Sequence, residues 1–200
     1  SLAGILMARG QFSEAELLHR RVLANREKTL RPDHPRIADS LNNLAVACLH
    51  QGKREEAEPL LCRALAINEK TLGSEHTDIA QSLNNLAVLY LHQNKYEEAE
   101  PLLGRALALA EKAFGAVHRD VARILVALGY VNGQLGRDES ALELLQRALA
   151  ILETVLGSQH PALVETCDHL AVVAQRLGRS ADAAAFKERA ALIRHATERT

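Results

Sequence analysis

The 200 residues carry 24 Lys and Arg against 25 Asp and Glu, a formal net charge of -1. That balance excludes the basic surface with which nucleic-acid binders neutralise phosphates, and 3% aromatic residues without Trp leave few platforms for stacked bases. The 48% hydrophobic content is mostly Ala and Leu, a helix former's composition, and no apolar run approaches the 18 or so residues of a membrane span. Cys48, Cys62 and Cys167 form no CxxC pair; they read as small apolar fillers in a reducing compartment, so a cytoplasmic location is expected.

The dominant signal is a repeat of 42 residues without insertion or deletion: residues 41–82 and 83–124 are identical at 27 of 42 positions. Gly10, Gly52, Asn94, Gly136 and Gly178 keep the spacing, as do Ala15, Ala57, Ala99, Ala141 and Ala183, and His34, His76, His118 and His160. A fixed period of this size marks a solenoid, in which each repeat buries its apolar face only by stacking on its neighbours.

In chain order, residues 1–40 form a partial repeat. Ser1 aligns with Asn43 and Asn85, which leaves apolar Leu2, Ile5 and Leu6 at the edge of the stack; the chain reads as a segment of a longer protein. Repeats follow at 41–82, 83–124 and 125–166, and 167–200 is a partial repeat or cap. The whole reads as one all-α solenoid domain of about ten antiparallel helices, two per repeat. In the second full repeat, Ile79, just ahead of residue 83, joins Leu83, Leu86, Ala87 and Tyr90 at helical spacing on the inward stripe of the first helix, and the second carries Ala99, Leu102, Leu103, Ala106 and Leu109. Asn94 replaces the Gly that ends the first helix elsewhere, since both residues take the left-handed conformation. Glu97 and Glu98, like Glu55 and Glu56, suit the positive N-terminal end of the second helix, which runs to Phe114 before Gly115. Pro35 and Pro161 are placed in the first turn of an opening helix. Pro59 and Pro101 fall inside second helices but occupy positions held elsewhere by Leu17, Glu143 and Ala185, so a continuous, slightly bent helix is expected.

The spacing of Leu86, Ala87, Tyr90, Asn94, Tyr96, Ala99, Leu103, Ala106 and Leu107 resembles the tetratricopeptide repeat. The pattern NNLA…GKYEEAEPLL…RAL…EK…LG…H looks like the 42-residue form of kinesin light chains. The match weakens at 125–166, where Val126 and Ala127 replace the Asn pair, and at 167–200, where Asp168 and His169 stand there and Phe186 replaces a Leu. The resemblance implies a right-handed α-α superhelix whose first helices line a concave face that binds extended peptide segments of a protein partner.

On that expectation, one stripe of each first helix faces the ligand: Asp39, Asn42, Asn43, Val46, Leu49 and His50, then Gln81, Asn84, Asn85, Val88, Leu91 and His92. Arg123, Val126, Ala127, Tyr130 and Gln134 follow, and then Glu165, Asp168, His169, Val172, Gln175 and Arg176. An Asn amide both donates and accepts, and so pairs with a peptide group whatever the ligand's sequence. Neighbouring helices lie roughly 8–10 Å apart and two extended residues span about 7 Å, so Asn42 and Asn84 would grip one strand about three residues apart. In related domains such Asn residues clamp the peptide backbone, a role that here falls to Asn42 and Asn84 ahead of Asn43 and Asn85. Val46, Val88, Leu49, Leu91 and Tyr130 would supply apolar pockets, Arg123 a charge for an acidic residue, and His50 and His92 hydrogen bonds at the edge. The competing reading makes one Asn of each pair a packing residue bonded to a neighbouring helix.

The repeat-locked histidines read as loop caps rather than ligands. No HExxH, Cys–His cluster, GxSxG or phosphate-binding Gly loop appears, so an enzyme, a cofactor and a metal are all not expected. The alternative function is a sensor or oligomerisation repeat of a larger nucleotide-binding signalling protein, with self-association through the apolar N-terminal edge. An RNA-binding helical repeat is disfavoured by charge.

Overall fold

The computed structural model describes residues 2–77 and 79–197. Expectations that involve Ser1 or the last three residues lie outside them. Ten helices occupy the described residues: α1 (Leu2–Ala8), α2 (Phe12–Thr29), α3 (Pro35–His50), α4 (Arg54–Leu72), α5 (Ile79–His92), α6 (Tyr96–Phe114), α7 (Arg119–Gln134), α8 (Asp138–Leu156), α9 (Leu163–Arg176) and α10 (Ser180–Thr197). The chain divides into two compact units, Ser1–Lys95 with α1–α5 and Tyr96–Thr200 with α6–α10. In the first, α2 packs on α1 and α3, and α3 on α4 and α5. In the second, α7 packs on α6, α8 and α9, and α9 on α8 and α10.

The repeat positions become the core. Ala15, Ala57, Ala99, Ala141 and Ala183 are buried, as are Ala64, Ala106, Ala148 and Ala190. Small side chains at these crossings let neighbouring helices approach closely. Leu41, Leu61, Leu83, Leu103, Leu125 and Leu145 fill the space beside them. Of the expected inward stripe, Ile79, Leu83, Leu86 and Ala87 are buried, whereas Tyr90 is half-buried, its ring 5.4 Å from the Lys95 ammonium. Between second helices Arg63 pairs with Glu27 (2.6 Å), Arg147 with Glu111 and Arg189 with Glu153, each pair in the repeat's register.

Asn94 takes φ +57 among glycines at φ +73 to +88. Pro59 and Pro101 lie inside unbroken helices, and α6 ends at Phe114 before Gly115. Pro35 opens α3 as expected. Pro161 does not open α9, which begins at Leu163; there the turn after His160 takes two more residues before the helical ladder starts.

Candidate functional site

A first helix contacted on several sides keeps a narrow strip in solvent. On α3 that strip is Asp39, Asn43, Val46 and His50, with Val46 half-buried and the rest exposed. On α5 it is Gln81, Asn85, Val88 and His92, on α7 Arg123, Ala127, Tyr130 and Gln134 with half-buried Val126 beside them, and on α9 Glu165, His169, Val172 and Arg176 with half-buried Asp168 and exposed Gln175 beside them. These positions recur at intervals of four, three and four, one line along a helix. On α3 and α5 the exposed strip is narrower than the expected stripe. Leu49 and Leu91 are half-buried at its margin, and Asn42 and Asn84 are only 8% and 3% exposed. The physical reason is packing on two flanks: α3 meets α5 as well as its own partner helix α4, so the first Asn of the pair is covered.

Asn42 is drawn into a polar joint. Its Nδ2 donates to Ser82 Oγ (2.9 Å), which also accepts from Asn68 Nδ2 (3.2 Å). The same joint one repeat earlier uses Arg26, whose Nη1 donates to Ser40 Oγ (2.8 Å) and to the Arg36 carbonyl (2.6 Å). Asn42 Oδ1 and Asn85 Nδ2 are buried and have no hydrogen-bond partner among the described residues. Arg26, Asp39, Asn42, Asn43 and Gln81 line an open cavity of about 300 Å³ in the first unit. Sequence reasoning missed Arg26, Ser40, Asn68 and Ser82. The available signal was that 26 and 68, and likewise 40 and 82, stand one repeat apart.

The strips on α7 and α9 of the second unit have a different chemistry. Arg123 is exposed and shares its charge with Asp120 (3.5 Å). Tyr130 is no open apolar pocket: it meets Tyr96 edge-on, ring centres 6.1 Å apart, and His169 at 5.2 Å. His169 Nε2 lies 3.7 Å from Glu165, and the neighbouring imidazole holds that carboxyl below the usual range. Arg176 donates to the Gly133 carbonyl (2.7 Å).

The histidines divide by position. His34, His118 and His160 each accept, through Nδ1, from the backbone N–H two residues on (3.1, 3.2 and 3.1 Å); His34 and His118 thereby cap α3 and α7, whereas His160 ties the turn ahead of α9. His50, expected to offer hydrogen bonds, instead stacks on Phe12, 4.6 Å and 5° from parallel. His92 is exposed on α5. Glu16, Cys48 and Glu56 bring three ligand-type atoms within 4.8 Å of one another. Their surroundings are those of an ion-pair network: buried Glu16 accepts from Lys53 Nζ (2.7 Å), Arg20 Nε (2.8 Å) and Gln51 Nε2 (2.7 Å), and Arg20 also reaches Glu56. The Lys53 hydrogen bond above all lowers the Glu16 carboxyl to about 2, and burial raises the Cys48 thiol. Two protein cations already occupy this place. Among the described residues no helix is long and apolar enough to cross a membrane.

The tetratricopeptide repeat model matches residues 1–70, 37–112, 78–154 and 120–191. Among solved structures, a Podosopora anserina protein described as a kinesin light chain with nearly identical TPR-like repeats is 32% identical. It aligns over 100% of this chain and 94% of its own, with a TM-score of 0.80. BtubC (BKLC) from P. vanneervenii is 29% identical over 98% of this chain and 78% of its own, with a TM-score of 0.85. MamA from Desulfovibrio magneticus RS-1, 16% identical over 98% and 92%, shares the fold alone, at a TM-score of 0.70. No curated protein matches the chain.

Proposed function

Since the chain belongs to the tetratricopeptide repeat family, a scaffold typical of protein–protein interaction, we propose that it captures an extended segment of a partner along the exposed strip of α3 and α5 in its first unit. One observation carries this reading: on α3 the strip presents Asn43 to solvent, and on α5 half-buried Asn85 keeps a buried Nδ2 that no acceptor among the described residues meets. A side-chain amide needs a donor or acceptor, and an extended backbone offers one of each per residue. Val46 and Val88, half-buried one turn further on, give apolar contact beside the amides. Affinity of about micromolar strength is expected, because ordering a flexible segment offsets much of the interaction energy. The scaffold, not a catalytic centre, is the working part.

The test is a selection of random and proteomic peptides on the purified chain beside an Asn43→Ala/Asn85→Ala variant of equal thermal stability. The variant is expected to bind the selected motif roughly tenfold more weakly, the loss of two net hydrogen bonds. Equal affinity in both proteins would remove the amides, and with them the strip, from the function.

A second reading, self-association, is favoured by the apolar face of α1, where Leu2 and Ile5 are 63% and 52% exposed. Sedimentation of the chain and of Leu2→Glu/Ile5→Glu separates it from the first: association abolished by the charges supports it, and a monomer at all concentrations discards it.

A further inference from the structure

We propose that the cavity between Asp39 and Asn42 receives a basic side chain, lysine or arginine, of the bound segment, so that the protein selects partners carrying a cation at that position. The inference rests on the strip being the binding face and adds which chemistry it prefers.

Asn42 supplies the first argument. It is nine-tenths buried and lines the cavity, its Nδ2 is committed to Ser82, and its Oδ1 has no donor among the described residues. A buried acceptor without a donor costs stability until something supplies the proton. Asp39 supplies the second. It lines the same cavity, is exposed, and pairs with no cation among the described residues. Together they offer an ammonium or guanidinium group a carboxylate and a neutral acceptor, with the amides of Asn43 and Gln81 free to turn their oxygens inward.

Arg26 is the counterweight, because it too lines the cavity. Its Nη1 is committed to the Arg36 carbonyl and to Ser40 Oγ, which holds the guanidinium where α2 meets α3. An acidic ligand side chain would gain Arg26 but would lie against the Asp39 carboxylate and the lone oxygen of Asn42. A basic one gains both acceptors. The volume of about 300 Å³ is at the lower end of ligand pockets and suits one long side chain rather than a whole ligand.

The experiment is a random-peptide selection on the wild-type chain, Asp39→Asn, Asp39→Lys and the Asn43→Ala/Asn85→Ala variant, each checked for equal helicity. Asp39 is exposed, so its replacements keep the fold. The wild type is expected to enrich Lys or Arg at one fixed position. Asp39→Asn should bind the consensus peptide about fivefold more weakly, and Asp39→Lys should turn that one position to Asp or Glu while the others hold. Enrichment of Asp or Glu by the wild type makes Arg26 the reader and overturns the inference, as does a basic preference that survives in Asp39→Lys. A motif without a basic residue that is lost in the Asn43/Asn85 variant defeats this inference alone. No enrichment by the wild type defeats the groove reading with it.

Discussion

At the scale of single residues, the joint between the end of a second helix and the next first helix shows how partners change together. Arg26 meets Ser40, and Asn68 meets Ser82. One repeat later the equivalent positions are Ala110 and Ile124, both buried and apolar. A repeat after that they are Leu152 and Thr166, where the apolar Leu has no hydrogen bond to give and the buried Thr166 hydroxyl has no partner among the described residues. Opposite mutational signs follow. Ser82→Ala strands two buried amide donors and should cost about 2 kcal/mol in urea unfolding, whereas Thr166→Val removes an unsatisfied hydroxyl and should be neutral or stabilise by up to about 1 kcal/mol. Glu16 adds a pH dependence. Its folded carboxyl titrates at about 2 against an unfolded value near 4.5, so its contribution is complete above about pH 5 and is lost as pH falls towards 2. The shift corresponds to at most about 3 kcal/mol. Chemical denaturation from pH 6 to 2 should show that decline in the wild type and a flatter one in Glu16→Gln.

At the scale of helices, punctuation came from local chemistry and was legible. The left-handed terminator needs Gly or Asn because an ordinary side chain costs about 1–2 kcal/mol at positive φ. Asn94, at φ +57, is the position to test: Asn94→Ala should lower stability by about 1 kcal/mol in thermal or urea melts. The histidine role was legible for the same reason, since a residue recurring ahead of each first helix, with an acceptor to spare, meets the N–H two residues on at His34, His118 and His160. The interior prolines, which look like breaks, sit close enough to the helix start to forfeit one hydrogen bond without ending the helix. The start of α9 was not legible. Pro35 and Pro161 stand at equivalent positions, and only the fold around each turn decides how soon the helical ladder begins.

For the whole molecule, the repeat makes stability a sum of near-neighbour terms. Excising residues 83–124, one full period, should therefore leave a folded protein. Its ellipticity per residue should be unchanged and its unfolding midpoint lower, and a collapse of helicity would show that the repeats depend on more than their neighbours. The Glu–Arg pairs between second helices contribute little to this sum: their members are roughly a third to a half exposed, and such pairs are worth about 0–1 kcal/mol each. Their use is to hold register between successive second helices, which the fixed spacing of 42 already requires.

The amino-acid sequence by itself determined the repeat, the helical hairpins, the residues that end and cap them, and the family. Each is a local pattern copied at a fixed interval, and copying makes a weak signal strong. The tertiary structure decided which side of a helix remained open. Asn42 and Asn43 are adjacent and chemically identical; one is buried against Ser82 and the other faces solvent because α5 covers one flank of α3. In the same way His50 is taken by Phe12, Tyr130 by Tyr96 and His169, and Glu16 by Lys53 and Arg20. A periodicity argument places a residue on a helix face, but burial depends on neighbours arriving from both sides, and those neighbours are set by the stack.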